Sequence, residues 1–78
     1  MVTAENIKYW IESTLANSQV QAFGDGQHFE AMVISSEFAG KNSLARHRLV
    51  YDALGHRMQS QIHALSLKTF TPEEYNNQ

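Results

Sequence analysis

The sequence predicts a two-layer α+β sandwich, a three-stranded sheet with two main helices on one face, in the order helix, strand, strand, helix, strand, short helix (αββαβ with a terminal α). Three observations predict it. Two stretches, residues 4–16 and residues 43 to about 59, repeat apolar side chains at helical spacing. Three shorter stretches alternate or concentrate apolar and β-branched residues as strands do. A chain of 78 residues, 42% hydrophobic and 18% charged, has room for one small core, so residues 1–78 are expected to form a single domain.

Thr3 suits the N-cap of the first helix, Glu5 favours the positive end of its dipole, and Ile7, Ile11 and Leu15 recur every four residues with Trp10 beside them. Asn17 and Ser18 stop that helix. Gln19 to Phe23 then reads as a short strand, Gly24-Asp25-Gly26-Gln27 as a glycine-rich turn, and Phe29 to Ser35 as the second arm of a hairpin. His28 opens that arm. Ser36 to Gly40 suits a turn anchored by Phe38. Asn42 or Ser43 can cap the long helix, whose stripe is Leu49, Val50, Ala53, Leu54 and Met58. Gly55 lies roughly opposite the stripe, as a tolerated surface glycine or an early helix end. Ile62 to Phe70 alternates as the third strand, with Leu65 and Leu67 on the buried side. Thr71-Pro72-Glu73-Glu74 carries the cap, first-turn proline and capping-box acid of a short last helix, with Tyr75 as its apolar contact. The opposite face of the sheet is then open to water or to a partner.

The absence of cysteine excludes a disulfide scaffold, a zinc finger, a thiol redox enzyme and a self-contained cysteinyl iron-sulfur protein. The longest apolar run, Ala31 to Ile34, is far too short to span a bilayer, and the first residues do not read as a secretory signal, so a cytoplasmic location is expected. No nucleophile elbow, triad signature or phosphate-cradling loop is present, and the expectation is a protein that is not an enzyme.

Charge is uneven. Lys41, Arg46, Arg48 and Arg57 against Asp52 give the long helix +3, and the remainder, Lys8 and Lys68 against Glu5, Glu12, Asp25, Glu30, Glu37, Glu73 and Glu74, carries -5, for a net charge of -2. A solvated helix face accounts for such an element, and a phosphate surface is the functional alternative. Arg46 and Arg57 project toward the side of the apolar stripe, where their stems would cover apolar surface. Of the four histidines, His47 falls at the edge of the stripe as a half-buried structural residue, and His56 lies on the exposed face near the helix end. His28 and His63 open strands, where a side chain can reach out of the fold. Two imidazoles can ligate a soft metal centre from one side, with the other ligands coming from elsewhere.

The segments Gly24-Asp25-Gly26-Gln27-His28-Phe29, Phe38-Ala39-Gly40-Lys41, Arg46-His47-Arg48-Leu49-Val50-Tyr51 and Ile62-His63-Ala64-Leu65-Ser66-Leu67-Lys68-Thr69, followed by Thr71-Pro72-Glu73-Glu74, resemble the BolA family in order and spacing across essentially the whole chain. The likeness is nearest to the bacterial YrbA/IbaG-like branch. It implies a class II KH-like fold and partnership with a monothiol, CGFS-type glutaredoxin in iron-sulfur cluster trafficking or iron homeostasis. In such pairs a bridging [2Fe-2S] cluster takes sulfur from the glutaredoxin cysteine and glutathione, and nitrogen from the histidine matching His63. The resemblance also implies a second ligand from the loop joining the first two strands, where many members carry Cys or His. Here the loop tip is Asp25, and His28 is the only loop histidine; Asp25, a partner's group or a ligand-poor complex are the alternatives. Some family members are described as transcriptional regulators, so the second expectation is a nucleic-acid-binding protein using Arg46, Arg48 and Arg57 with Lys68. The Gly-x-x-Gly clamp of KH domains is missing from this sequence. A third is a metal-free homodimer or adaptor using the open sheet face.

Overall fold

The computed structural model describes all 78 residues, Met1–Gln78. Its first helix, α1 (Ala4–Thr14), begins where the cap predicted it. The Thr3 hydroxyl accepts from the Asn6 amide at 3.1 Å, and the Asn6 side chain accepts from the Thr3 amide at 3.0 Å, which satisfies two donors that a helix start leaves orphaned. Leu15 takes extended dihedrals, and Asn17, at φ +54°, turns the chain into the sheet, so the helix ends two residues before the expected 16. Ile7 and Ile11 are fully buried beneath it.

Two strands follow, β1 (Ser18–Gly24) and β2 (His28–Ser35), paired antiparallel with Val20 opposite Val33 and Gly24 opposite Phe29. Gly24 is required by close approach: a Cβ there would run into the Phe29 ring and stand 2.7 Å from the His28 carbonyl oxygen. After a 3₁₀ turn at Ser36–Phe38, the second helix, α2 (Ser43–Leu54), is capped by Asn42, whose side-chain oxygen accepts from the Ala45 amide at 2.9 Å.

The long helix expected to about Gln59 stops at Leu54. Gly55 adopts φ +61° and ψ -141°, a conformation that L side chains rarely adopt, and its amide donates to the Tyr51 carbonyl. Of the two readings of this glycine, the early helix end is the observed one. A single separate turn, α3 (Arg57–Ser60), follows. The redirection lets Ile62 enter the core at 4% exposure, and β3 (Ala64–Phe70) starts two residues after the expected Ile62. Thr71 then caps α4 (Pro72–Asn76) with the reciprocal Glu74 bonds read from the sequence.

The sheet is mixed, in the order β1-β2-β3, with β2 and β3 parallel and α2 in the crossover between them. Phe29, Ala31 and Val33 of β2 meet Ile7, Ile11, Val50, Leu54 and Phe38 in one core, and Leu65 and Leu67 pack against it from β3 as the alternation predicted. The α+β architecture is the one expected. At the β1 edge, Lys8 donates to the Val20 carbonyl at 3.0 Å and pairs with Glu12 at 2.6 Å, while Glu12 accepts from the Val20 amide at 2.9 Å. The Lys8 ammonium accordingly holds the Glu12 carboxyl below its ordinary pKa. Side chains from α1 thus occupy edge positions at which another strand would have to pair.

Candidate functional site: the histidine end of the sheet

Parallel pairing of β2 and β3 puts their N-terminal ends side by side. In the observed register His28 stands opposite Ala64, so His63, the residue just before Ala64, lies at the same end of the sheet. Both histidines are exposed. His28 begins the ladder; His63 sits in a bend between buried Ile62 and the first β3 residue. The two histidines separated by 34 intervening residues are therefore brought to one end of one sheet.

Asp25, the alternative loop ligand, organises the turn before His28. Its Oδ1 accepts from the Gln27 and His28 amides, each at 2.9 Å, and the Asp25 amide donates to the His28 carbonyl at 3.2 Å. Those backbone donors, that of His28 first, lower the Asp25 pKa. The carboxylate closes an Asx-type turn and fixes the backbone of His28. An Asp two residues before Gln27 in a glycine-flanked loop is the sequence signal for that turn.

No set of three or more His, Cys, Asp or Glu side chains is gathered anywhere in the chain in a way that could hold a metal ion. What the histidine end offers is two exposed imidazoles, one at the start of β2 and one in the bend just before β3. Such a half-site fits a soft metal centre completed by another molecule's ligands and does not fit a self-contained one.

The four cations of the basic surface are spread out. Arg46 is committed to Glu74, with Nη1–Oε1 at 2.6 Å and Nη2–Oε2 at 3.0 Å, and it lies 5.7 Å from the centre of the Phe38 ring. This pairing raises the Arg46 pKa and holds the Glu74 carboxyl down at about 2. Arg57 stacks on Trp10 with its guanidinium carbon 4.5 Å from the ring centre. Arg48 is exposed on α2. Lys68 is exposed on the other side of the sheet, where it lines a shallow groove of about 280 Å³ with Phe23, Glu30, Met32 and Ser66. Arg46 and Arg57 thus serve the fold, as their placement on the apolar side of the helix predicted. His47 is half-buried, edge-on to Tyr51 at 6.4 Å, and His56 is exposed.

A sequence model of the family described as BolA-like protein matches residues 4–74. Among curated proteins, the chain is 42% identical to a DNA-binding transcriptional regulator BolA of Vibrio cholerae over 52 residues, 67% of this chain and 49% of that protein. The match thus spans about half the length of that relative. Among solved structures, a BolA protein homologue from Coxiella burnetii superposes with a TM-score of 0.92 at 61% identity, covering 97% of this chain and 99% of that one. The BolA domain of SufE1 from Arabidopsis thaliana superposes with a TM-score of 0.73 at 31% identity, covering 91% and 93%.

Proposed function

The chain belongs to the BolA family, and from that premise we propose that it is a non-enzymatic partner of a monothiol, CGFS-type glutaredoxin that shares a bridging [2Fe-2S] cluster in iron-sulfur cluster trafficking or iron homeostasis. His63 supplies one imidazole ligand and His28 the second; the glutaredoxin cysteine and glutathione supply the thiolates. The observation that supports this reading is the β2–β3 register, which brings two exposed histidines to one end of the sheet in a chain without cysteine. The shared cluster contributes the iron coordination chemistry, and this chain contributes nitrogen donors on a preorganised sheet end. Imidazole ligates only when deprotonated, so acid weakens the site. No helix of the chain is long and apolar enough to cross a membrane.

The test is anaerobic co-purification with a monothiol glutaredoxin and glutathione, followed by visible absorption and circular dichroism. His63→Ala is expected to abolish or reshape the cluster's spectrum in the heterodimer, and His28→Ala to reshape it less. A His63→Ala complex with the wild-type spectrum overturns the ligand assignment.

A second reading, nucleic-acid-binding regulator, is favoured by the similarity to the DNA-binding transcriptional regulator BolA of Vibrio cholerae. It uses Arg46, Arg48 and Arg57 with Lys68, of which Arg48 and Lys68 are exposed and Arg46 and Arg57 also have partners within the chain. Titration of duplex DNA at several salt concentrations decides it: phosphate recognition requires an affinity that falls with salt, and a flat dependence dismisses it.

A further inference from the structure

We propose that Arg57 is a positioning residue for His63, acting through its stack on Trp10; the inference deepens the cluster-sharing reading and rests on it only for the readout in the complex. The break at Gly55 leaves the C-terminal carbonyls of α2 without helical partners. The Arg57 guanidinium turns back over that end, with Nη1 3.5 Å from the Leu54 carbonyl oxygen and its carbon 4.5 Å from the centre of the Trp10 ring on α1. A cation at a helix C-terminus and over an aromatic face is favoured on both counts. The same residue's carbonyl accepts from two successive amides, Gln61 at 2.9 Å and Ile62 at 3.0 Å. Arg57 therefore ties α1, the end of α2 and the last turn before His63 together.

His63 lies between two fixed neighbours. Ala64 is set by the sheet register opposite His28, and Ile62 is set by the core and by the Arg57 carbonyl. His63 itself is exposed and outside the ladder. Removing the guanidinium leaves Ala64 in place and loosens the α3 turn, so the effect falls on His63 and spares His28. The arginine that the sequence offered to nucleic acid becomes a support for one of the two imidazoles.

The first readout uses the isolated full chain, by NMR of the histidine ring protons and by amide exchange. Arg57→Ala and Trp10→Leu are each expected to shift or broaden the His63 ring signals. They should also speed exchange at Gln61 and Ile62 by about three- to tenfold, with His28 and the β1–β2 amides unchanged. The double variant should be no worse than either single one, because both remove the same stack. Arg57→Lys, which keeps a cation over the ring, should restore most of the wild-type pattern. Arg57→Gln keeps much of the stem and loses only the cation, so it carries the same test where the alanine variant does not fold. The second readout is the circular dichroism of the glutaredoxin complex, which Arg57→Ala should change in the direction of His63→Ala and by less. Unmoved His63 signals in Arg57→Ala or Arg57→Gln, or equal changes at His28 and His63, overturn the proposal. So does a loss of about one unit of salt slope in duplex binding with His63 unmoved, which assigns Arg57 to phosphate. Failure of the cluster reading looks different: His63→Ala then leaves the complex unchanged while the isolated chain still shows the hold of Arg57 on His63.

Discussion

The two ends of the sheet are built on opposite plans. At the end where β2 and β3 finish, polar side chains are spent on one another: Arg46 forks onto Glu74, Thr71 and Glu74 close a capping box, and the fully buried Ser35 hydroxyl donates to the Ala16 carbonyl at 2.9 Å while accepting from Glu37. At the end where they begin, order comes from backbone fit. Gly24 admits the Phe29 ring, Asp25 binds two amides, and the Arg57 carbonyl takes two more. The His28 and His63 side chains stay exposed there. A side chain kept for a partner has to be placed by something other than its own bonds, and here the main chain and its neighbours do the placing.

The sharpest way to break this contrast is Gly24→Ala. The added carbon has a ring and a carbonyl in its way, so the variant should lose about 3 kcal/mol, the upper end for overpacking, in urea unfolding. An unchanged midpoint would show that the histidine end is not held by backbone fit. At the other end Ser35→Ala should cost about 1 kcal/mol by removing the buried hydroxyl that donates to the Ala16 carbonyl and accepts from the Glu37 amide. Acid probes the Arg46 end by a smaller effect. The Glu74 carboxyl, depressed from its ordinary 4.5 to about 2 with the Arg46 bond as the main cause, contributes stability that is present above pH 4.5 and is lost as pH falls toward 2. In that window α4 should loosen, seen in the Tyr75 ring signals, and Glu74→Gln should remove the dependence. Smallest of all, His28→Ala and His63→Ala should each change the stability of the isolated chain by no more than about 0.5 kcal/mol. A larger loss at either position would mean that the imidazole serves the fold, and the contrast between the ends would fail.

The local grammar of the chain was legible residue by residue. Thr3, Asn42 and Thr71 are caps because a hydroxyl or amide oxygen placed just before a helical stretch reaches an orphan amide, whatever the rest of the chain does. Buried Val50, Ala53 and Leu54 were visible as a stripe for the same local reason. Where the reading ran long, the missing information was tertiary. Met58 continues the spacing beyond Gly55, so periodicity alone carries the helix on to Gln59, and the left-handed break at Gly55 goes with the burial of Ile62 in a core that the helix itself does not contain. Ile62 and His63 alternate like strand residues, but the ladder starts only at Ala64.

The candidate site divides in the same way. Sequence by itself determined which groups exist: no sulfur donor, four imidazoles, two of them near strand starts, and a loop whose Asp-Gly pair forms a turn. Their meeting was decided by the fold. A hairpin is a local structure whose register follows from its turn, whereas the parallel β2–β3 pair is joined through α2 and α3, and nothing in either strand's own pattern states which residue faces which. The placement of His63 at the same sheet end as His28, the Arg46–Glu74 fork across 28 positions and the stack of Arg57 on Trp10 are all long-range, and they exist because the helix layer and the sheet bury one common core.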